Sequence, residues 1–361
     1  MSSVLLVQPV KFGSDSGIVD NAFMVVEDIT DEKQERDERA AFQVLKDLRT
    51  CITQHGVDAR IIDNRDEPMW RELYLAHGDA IFPNNYISFH HFTDSEGHIT
   101  RRLVILYPMS PYRRKEIAEE QIVQKVKAAA ANGAITLLDL RSYEEENRAL
   151  EGTGAVVFSP DGRYVYMSQS GRTDDEILSI ICSEEYLNIP RENRFLFTSA
   201  VPRLRGGEDL VYHTNVIGWC GKGIAAFALD LLKFETGERE NAFRRHLEQA
   251  YDCVVNLTVE DIRAFAGNAF ELATRKPDGS EHHFLCMSGT SYNGMCEKNR
   301  SMLEKWYGRE NVCSFANEAV ERRTGGSIRC MMGASILHGE AIPRFGEPST
   351  LDVCGIVEKA E

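Results

Sequence analysis

Apolar residues fall along this chain in two kinds of pattern. Short runs rich in Val, Ile, Phe and Tyr, bounded by Gly, Pro, Asn and Asp, occur at Val4–Gln8, Ala59–Ile62, Ala80–Phe89, Leu103–Tyr107, Ile135–Leu138, Ala155–Phe158, Tyr164–Ser168, Phe195–Thr198, Leu210–Cys220, Cys253–Leu257, His283–Met287 and Ser327–Met332. Such runs predict strands. Between them, apolar positions recur every three or four residues with charges in the gaps, which predicts helices over Glu32–Gln54, Arg113–Ala131, Asp175–Glu185, Arg239–Gln249 and Tyr292–Trp306. Asp174 and Ser291 are placed to cap two of these helices through their side-chain oxygens. The order is strand, strand, helix, strand, repeated about five times in units of roughly 60–70 residues without visible sequence identity between units. No proline-rich linker, low-complexity tract or charge block divides the chain. The expectation is one α/β domain over residues 1–361, with a pseudo-symmetric layout.

Composition narrows the function. With 41 Lys plus Arg against 56 Asp plus Glu, the net charge is −15, which opposes binding to a nucleic-acid backbone. The nine cysteines, at 51, 182, 220, 253, 286, 296, 313, 330 and 354, are odd in number and never spaced Cys-x-x-Cys. That argues for reduced thiols rather than a disulfide framework, a zinc ribbon or a dithiol redox pair. The apolar run Val4-Leu5-Leu6-Val7 is too short for a signal peptide, and no stretch approaches the ~18 residues needed to span a bilayer. A cytoplasmic protein without nucleic-acid or membrane partners is expected, and homo-oligomerisation stays open.

Candidate chemistry concentrates in a few short motifs. Thr324-Gly-Gly-Ser-Ile-Arg-Cys330 places a thiol after a glycine-rich turn. Gly325 and Gly326 would let backbone approach a ligand, and the charge of Arg329 would favour a thiolate. His213, in Val-Tyr-His-Thr-Asn-Val, is flanked by the polar Thr214 and Asn215. A lone histidine in an apolar strand is ordinarily a satisfied core group, so its polar neighbours are what single it out. Glu151 opens Glu-Gly-Thr-Gly, and its bland reading is a turn carboxylate. Pro83-Asn84-Asn85 interrupts an apolar run and offers two amides to a planar ligand. Arg113, Arg114 and Arg172 offer guanidinium forks for a carboxylate, or are simply solvated. A cysteine, a histidine and a carboxylate held together are the parts of a thiol nucleophile, its base and an orienting acid. The adjacent pairs His90-His91 and His282-His283 diverge on a strand and do not suggest metal ligands. Gly218-x-x-Gly221-x-Gly223 has the wrong spacing for a dinucleotide loop.

In this order the motifs resemble those of the guanidine-group-modifying (pentein) superfamily of arginine deiminases, amidinotransferases and dimethylarginine hydrolases. The match runs from Phe82–Asn85 through Arg113-Arg114, Glu151–Gly154, Ser170–Thr173 and His213–Asn215 to Gly325–Cys330. It is similar to the Phe-Pro-Asn-Asn, amidinotransferase-like, citrulline-utilisation hydrolase subgroup. The resemblance implies a five-bladed α/β propeller, Cys330 as nucleophile, His213 as proton donor and then base, and Glu151 as the carboxylate that holds planar nitrogens. It implies Asn84, Asn85, Asn215, Arg113, Arg114, Arg172, Gly325 and Gly326 around a guanidino or ureido substrate, with no metal or organic cofactor. Asn85 and Asn215 stand where deiminases usually place aspartates. Amides donate as well as accept, which suits a neutral ureido group such as that of citrulline, or hydrolysis carried through to the amine. Amidinotransfer to an acceptor amine is the alternative, and a non-catalytic binding protein on the same fold is a more distant one. A papain-like thiol hydrolase would need its cysteine near the start of the chain.

Overall fold

A computed structural model describes residues 3–9, 11–12, 30–63, 78–117, 121–203, 207–276 and 278–339. Its strands are β1 (Ser3–Gln8), β2 (Asp58–Asp63), β3 (Ile87–Thr93), β4 (Ile99–Leu106), β5 (Thr136–Asp139), β6 (Val156–Phe158), β7 (Val165–Ser168), β8 (Arg194–Pro202), β9 (Glu208–Leu210), β10 (Gly218–Gly221), β11 (Ile224–Phe227), β12 (Leu232–Lys233), β13 (Cys253–Asn256), β14 (Phe270–Arg275), β15 (Glu281–Ser288), β16 (Val312–Phe315) and β17 (Gly333–His338). Five of the groupings among the described residues share one rule. A first strand pairs antiparallel with a second, and the second pairs parallel with a third, as in β3-β4-β5, β6-β7-β8, β10-β11-β13 and β14-β15-β16. The fifth, β17-β1-β2, obeys the same rule with its first strand supplied from the far end of the described chain. β17 also pairs with β3, which joins two units in one sheet.

Parallel neighbours cannot be joined by a hairpin, so each second and third strand is linked through a helix. These are α1 (Asp31–Gln54), α2 (Gln121–Ala131), α3 (Asp175–Ile181), α4 (Gly237–Ala250) and α5 (Glu297–Tyr307). In α1, Ala41, Leu45, Leu48 and Ile52 recur at three to four residues and are buried against Val4 and Leu6 of β1. Thr30 caps it by accepting from the Lys33 amide, and Asp31 and Glu32 in the first turn suit the positive end of the helix dipole. Asp174 caps α3, as its sequence position suggests. No helix among the described residues is long and apolar enough to cross a membrane.

Three expected strands differ in a consistent way. Ala80–Phe89 opens with tight helical turns at Gly78–Ile81 and Pro83–Asn85 before β3 begins. Leu210–Cys220 is broken by a helical turn at Thr214–Ile217. Ser327–Met332 is a series of turns, with the strand starting only at Gly333. Apart from the exposed Leu210, the residues of these runs are buried, and an apolar run cannot distinguish a buried turn from a buried strand. Tyr292–Trp306 is split at Met295-Cys296, with Ser288 rather than Ser291 capping the first piece, Gly289–Gly294. Arg113–Ala131 resolves into a 3-10 turn at Arg114–Ile117 and α2, with residues 118–120 outside those described. β11, β12, β14 and β16 are strands that the apolar pattern did not single out.

Where the turns that precede first strands meet, single positions leave no room for a Cβ. Gly152 sits at φ +46°, and a Cβ there would lie 2.3 Å from the Asn84 carbonyl oxygen and 2.7 Å from that of Asn85. Both obstacles are backbone. Gly152→Ala should therefore cost about 3 kcal/mol or more in unfolding free energy. A denaturant midpoint unchanged from wild type would contradict this packing.

Candidate active site

Each unit's first strand is preceded by a turn, and each turn presents a polar residue. These are Asn84 and Asn85 before β3, Glu151 before β6, His213 and Asn215 before β10, Asn268 before β14, and Cys330 before β17. All are at most 4% exposed. Neighbouring turns hold each other. Thr153 donates to the Asn84 carbonyl at 3.2 Å, and Thr214 donates to the Ala155 carbonyl. Asn268 Nδ2 donates to the Asn215 carbonyl at 3.1 Å, and the Cys330 amide reaches Asn268 Oδ1 at 3.4 Å. A Cβ on Gly326 would lie 2.5 Å from the Phe82 ring, so the Cys330 turn packs back on the first of the set.

Cys330 lies in successive tight turns, in which the amides of residues 330, 331 and 332 bond the carbonyls three residues back. Gly325 terminates the helix α6 (Glu318–Thr324) with φ +68°. Ser327 is fixed by Glu321, whose Oε1 accepts its hydroxyl at 2.6 Å. The Cys330 sulfur accepts from two amides, Asn215 Nδ2 at 3.3 Å and Asn268 Nδ2 at 3.2 Å. Two N–H donors there suit a sulfur that carries negative charge. The Arg329 guanidinium interacts electrostatically with Cys330 while its hydrogen bond goes elsewhere. It lies over the Phe270 ring and donates to the Met332 carbonyl.

Glu151 is fully buried, and protein donors fill both its oxygens. Oε1 accepts from the Ser110 amide at 3.1 Å. Oε2 accepts from Arg113 at 2.6 Å, from Arg172 at 3.3 Å and from His213 Nε2 at 2.8 Å. Burial pushes the Glu151 carboxyl up, but the two guanidiniums and His213 together hold it well below the usual carboxylate range. His213 is driven the other way. Burial lowers it from 6.5 to about 4, against the lift from Glu151. The imidazole is therefore neutral near pH 7, with Nε2–H donating to Glu151 and Nδ1 left as the basic nitrogen. Gly154 makes room on that side, since a Cβ there would sit 3.0 Å from Nδ1.

Several expected roles change with this geometry. Glu151 is bonded to His213, with three side-chain donors at Oε2 and one backbone amide at Oε1. Arg113 and Arg172, expected at a substrate carboxylate, point at Glu151. Arg113 also forks onto Glu116 at 2.7 and 2.9 Å, and Arg172 lies 4.8 Å over the Tyr212 ring. Asn85, turned so that its oxygen faces Arg113, accepts from Nη2 at 2.9 Å. Arg114 turns away to the Met109 carbonyl and Asn147. Gly325 terminates a helix and Gly326 packs against the Phe82 ring. Asn268, Glu116 and Ser110 escaped the sequence reading. The signal for Asn268 was its place in Gly267-Asn268, directly before a first strand, like the other four turns. A cavity of about 440 Å3 opens on the strand side of these turns, with Thr153, Asn215 and Arg329 in its wall but neither Cys330 nor His213.

The model of the eukaryotic N,N-dimethylarginine dimethylhydrolase family matches residues 8–337. No curated protein matches the chain. Among solved structures, the apo form of ArgZ, an arginine dihydrolase from the ornithine–ammonia cycle in cyanobacteria, aligns with TM-score 0.60 at 15% identity, over 95% of this chain and 41% of that one. This chain thus spans less than half the length of that protein. The N-terminal domain of ArgZ, as a cysteine-to-serine mutant bound to substrate, aligns with TM-score 0.58 at 14% identity, over 94% of this chain and 100% of that one. A dimethylarginine hydrolase (DDAH) from Pseudomonas aeruginosa, also a cysteine-to-serine mutant and complexed with citrulline, aligns with TM-score 0.51 at 12% identity, over 91% and 97% of the two chains. These likenesses establish a shared α/β fold.

The shifts at His213 and Glu151 act on stability with one sign. An imidazole held at about 4 in the folded chain and 6.5 when exposed binds protons more readily unfolded, so acidification between those values favours unfolding. Glu151, held below 4.5, adds a loss of the same sign at lower pH. His213 alone accounts for roughly 3 kcal/mol between pH 6.5 and 4. Unfolding free energy should fall over that window, and His213→Gln should flatten the fall. Identical slopes for the two proteins would show that His213 is not held neutral.

Proposed function

The chain belongs to the eukaryotic N,N-dimethylarginine dimethylhydrolase family, and from that footing we propose that it is a cysteine-dependent hydrolase of the guanidino or ureido C–N bond in an arginine- or citrulline-type substrate. The observation that carries this reading is the Cys330 sulfur, held by the amides of Asn215 and Asn268 beside the turn that bears the Glu151-bound His213. On this reading the five strand units are the blades of a five-bladed α/β propeller in a single catalytic domain. The described cysteines are free thiols, which suits a cytoplasmic enzyme.

The proposed sequence uses these groups in turn. Cys330 passes its thiol proton to Nδ1 of the neutral His213 as Sγ attacks the planar carbon and forms a C–S bond, and the C–N bond breaks as the imidazolium hands that proton to the departing amine. Water then attacks the S-linked carbon and gives a proton to His213 Nδ1, which returns it to sulfur as the C–S bond breaks to free the thiol. Glu151 stays ionised throughout and stabilises the imidazolium when it forms. The amides argue for the neutral end of the substrate range. Among the described residues, Asn84 Nδ2 and Asn215 Oδ1 are buried without a partner, so these turns retain one donor and one acceptor. A ureido group offers a carbonyl for the first and an N–H for the second, whereas a guanidinium only donates. We infer that hydrolysis continues through a ureido species to the free amine. The fold likeness to a cyanobacterial arginine dihydrolase is consistent with that course.

The test is product analysis with arginine, citrulline, agmatine and dimethylarginine supplied separately. Ornithine and ammonia from citrulline or arginine are expected, with activity reduced about 10^4-fold or more in Cys330→Ala. Removing one of the sulfur's donors in Asn268→Ala should lower kcat/KM about 10^2-fold. Asn215→Asp should move preference from ureide toward guanidine, because a carboxylate attracts a cation and no longer donates. Citrulline accumulating from arginine without further hydrolysis would sink the inference about the ureido species. An amidino group passed to added glycine would replace hydrolysis with transfer.

A further inference from the structure

Away from these turns, two sulfurs and an imidazole nitrogen converge. Cys51 lies in the last turn of α1 and His55 caps that helix four residues on, so both side chains leave the same face. Cys313 is on β16, against which α1 packs. One ligand atom from each of the three lies within 4.8 Å of the others. His55 Nε2 is 3.4 Å from Cys313 Sγ. Its other nitrogen, Nδ1, meets His282 Nε2 at 2.9 Å, and its ring stacks on Phe284 with centroids 4.2 Å apart. All three side chains are partly exposed, which leaves a route for an ion.

We propose that Cys51, His55 and Cys313 form a binding site for a thiophilic metal ion, Zn2+ in the first instance, with His282 as the outer partner that orients His55. Two thiolates and an imidazole are a donor set that zinc favours, with a fourth tetrahedral position left for water. Bonds of ~2.3 Å to sulfur and ~2.0–2.1 Å to nitrogen put S···N pairs about 3.5 Å apart around such an ion. The His55–Cys313 separation of 3.4 Å already meets this. A hydrogen bond at Nδ1 fixes the imidazole so that the Nε2 lone pair faces the sulfurs. Binding forms two Zn–S bonds and one Zn–N bond, displaces water from the ion and releases two thiol protons to solvent. The site staples the end of α1 to β16. It is separate from the catalytic turns, so its failure would leave the proposed activity untouched.

The full chain carrying Cys330→Ala, which removes the competing nucleophile, is stripped of metal under reducing conditions and titrated with Zn2+ against a chromophoric chelator. A parallel titration uses Co2+ and follows the thiolate-to-cobalt charge-transfer band. One ion per chain and a clear thiolate band are expected. Cys51→Ser and Cys313→Ser should each weaken Zn2+ binding at least 100-fold, and His282→Gln about 10-fold. Should the cysteine variants fail to fold, the Co2+ spectrum of the intact cluster decides. The absence of a stoichiometric ion or of a thiolate band overturns the proposal, as does affinity unchanged in the cysteine variants. Oxidant joining Cys51 to Cys313 in protein that binds no ion when reduced would also overturn it and mark the pair as a disulfide site.

Discussion

A carboxylate that water cannot reach is the charge around which these turns are arranged. Glu151 is ionised in full burial, and such a charge persists only when its oxygens are filled by donors and its charge is matched nearby. Arg113, Arg172 and His213 meet that demand at Oε2, and the Ser110 amide meets it at Oε1. Each donor is thereby pinned. Arg113 is pinned twice, because Glu116 takes the rest of its fork, and the segment after β4 is tied to the turn before β6. Two guanidiniums that sequence alone would assign to a ligand are consumed in keeping one acid charged.

That arrangement also sets what His213 can do. Burial beside two cations keeps the ring neutral, while the bond to Glu151 fixes its tautomer and plane. A neutral, oriented imidazole can accept a proton, and the adjacent carboxylate makes the resulting cation tolerable. The amides at Cys330 play the matching part at sulfur, donating to charge without adding any of their own. A carboxylate and two guanidiniums thus stand around His213, while the hydrogen bonds to the sulfur come from neutral amides.

The repeat supplies the precision. Each unit contributes a turn at the same place, and each turn is bonded or packed to the next, from Asn84 through Thr153, Thr214 and Asn268 to Cys330 and back to Phe82. Residues as far as 115 positions apart, such as Asn215 and Cys330, are held to hydrogen-bonding distance because every one stands at the start of a strand in a sheet. Gly152, Gly154 and Gly326 are required where one turn approaches another, which is one reason glycine marks these motifs.

Local sequence therefore determined a good deal. The strand, helix, strand rhythm, the amphipathic face of α1, the Asp174 cap and the identities of Cys330, His213, Glu151 and Asn215 were legible because periodicity, capping and polar breaks in apolar runs are short-range signals. Tertiary structure decided the rest. Whether the apolar stretches at Pro83, His213 and Cys330 are strand or turn depends on what surrounds them, and all are surrounded by protein. The partner of Arg113, 38 residues from Glu151, and the presence of Asn268 at the sulfur, 62 residues from Cys330, follow only from how the repeats stack. So does the meeting of Cys51 and Cys313. A side chain's type is written in the sequence, but whether its charge or lone pair is spent on the protein or kept for a ligand depends on which distant groups the fold brings within about 3 Å.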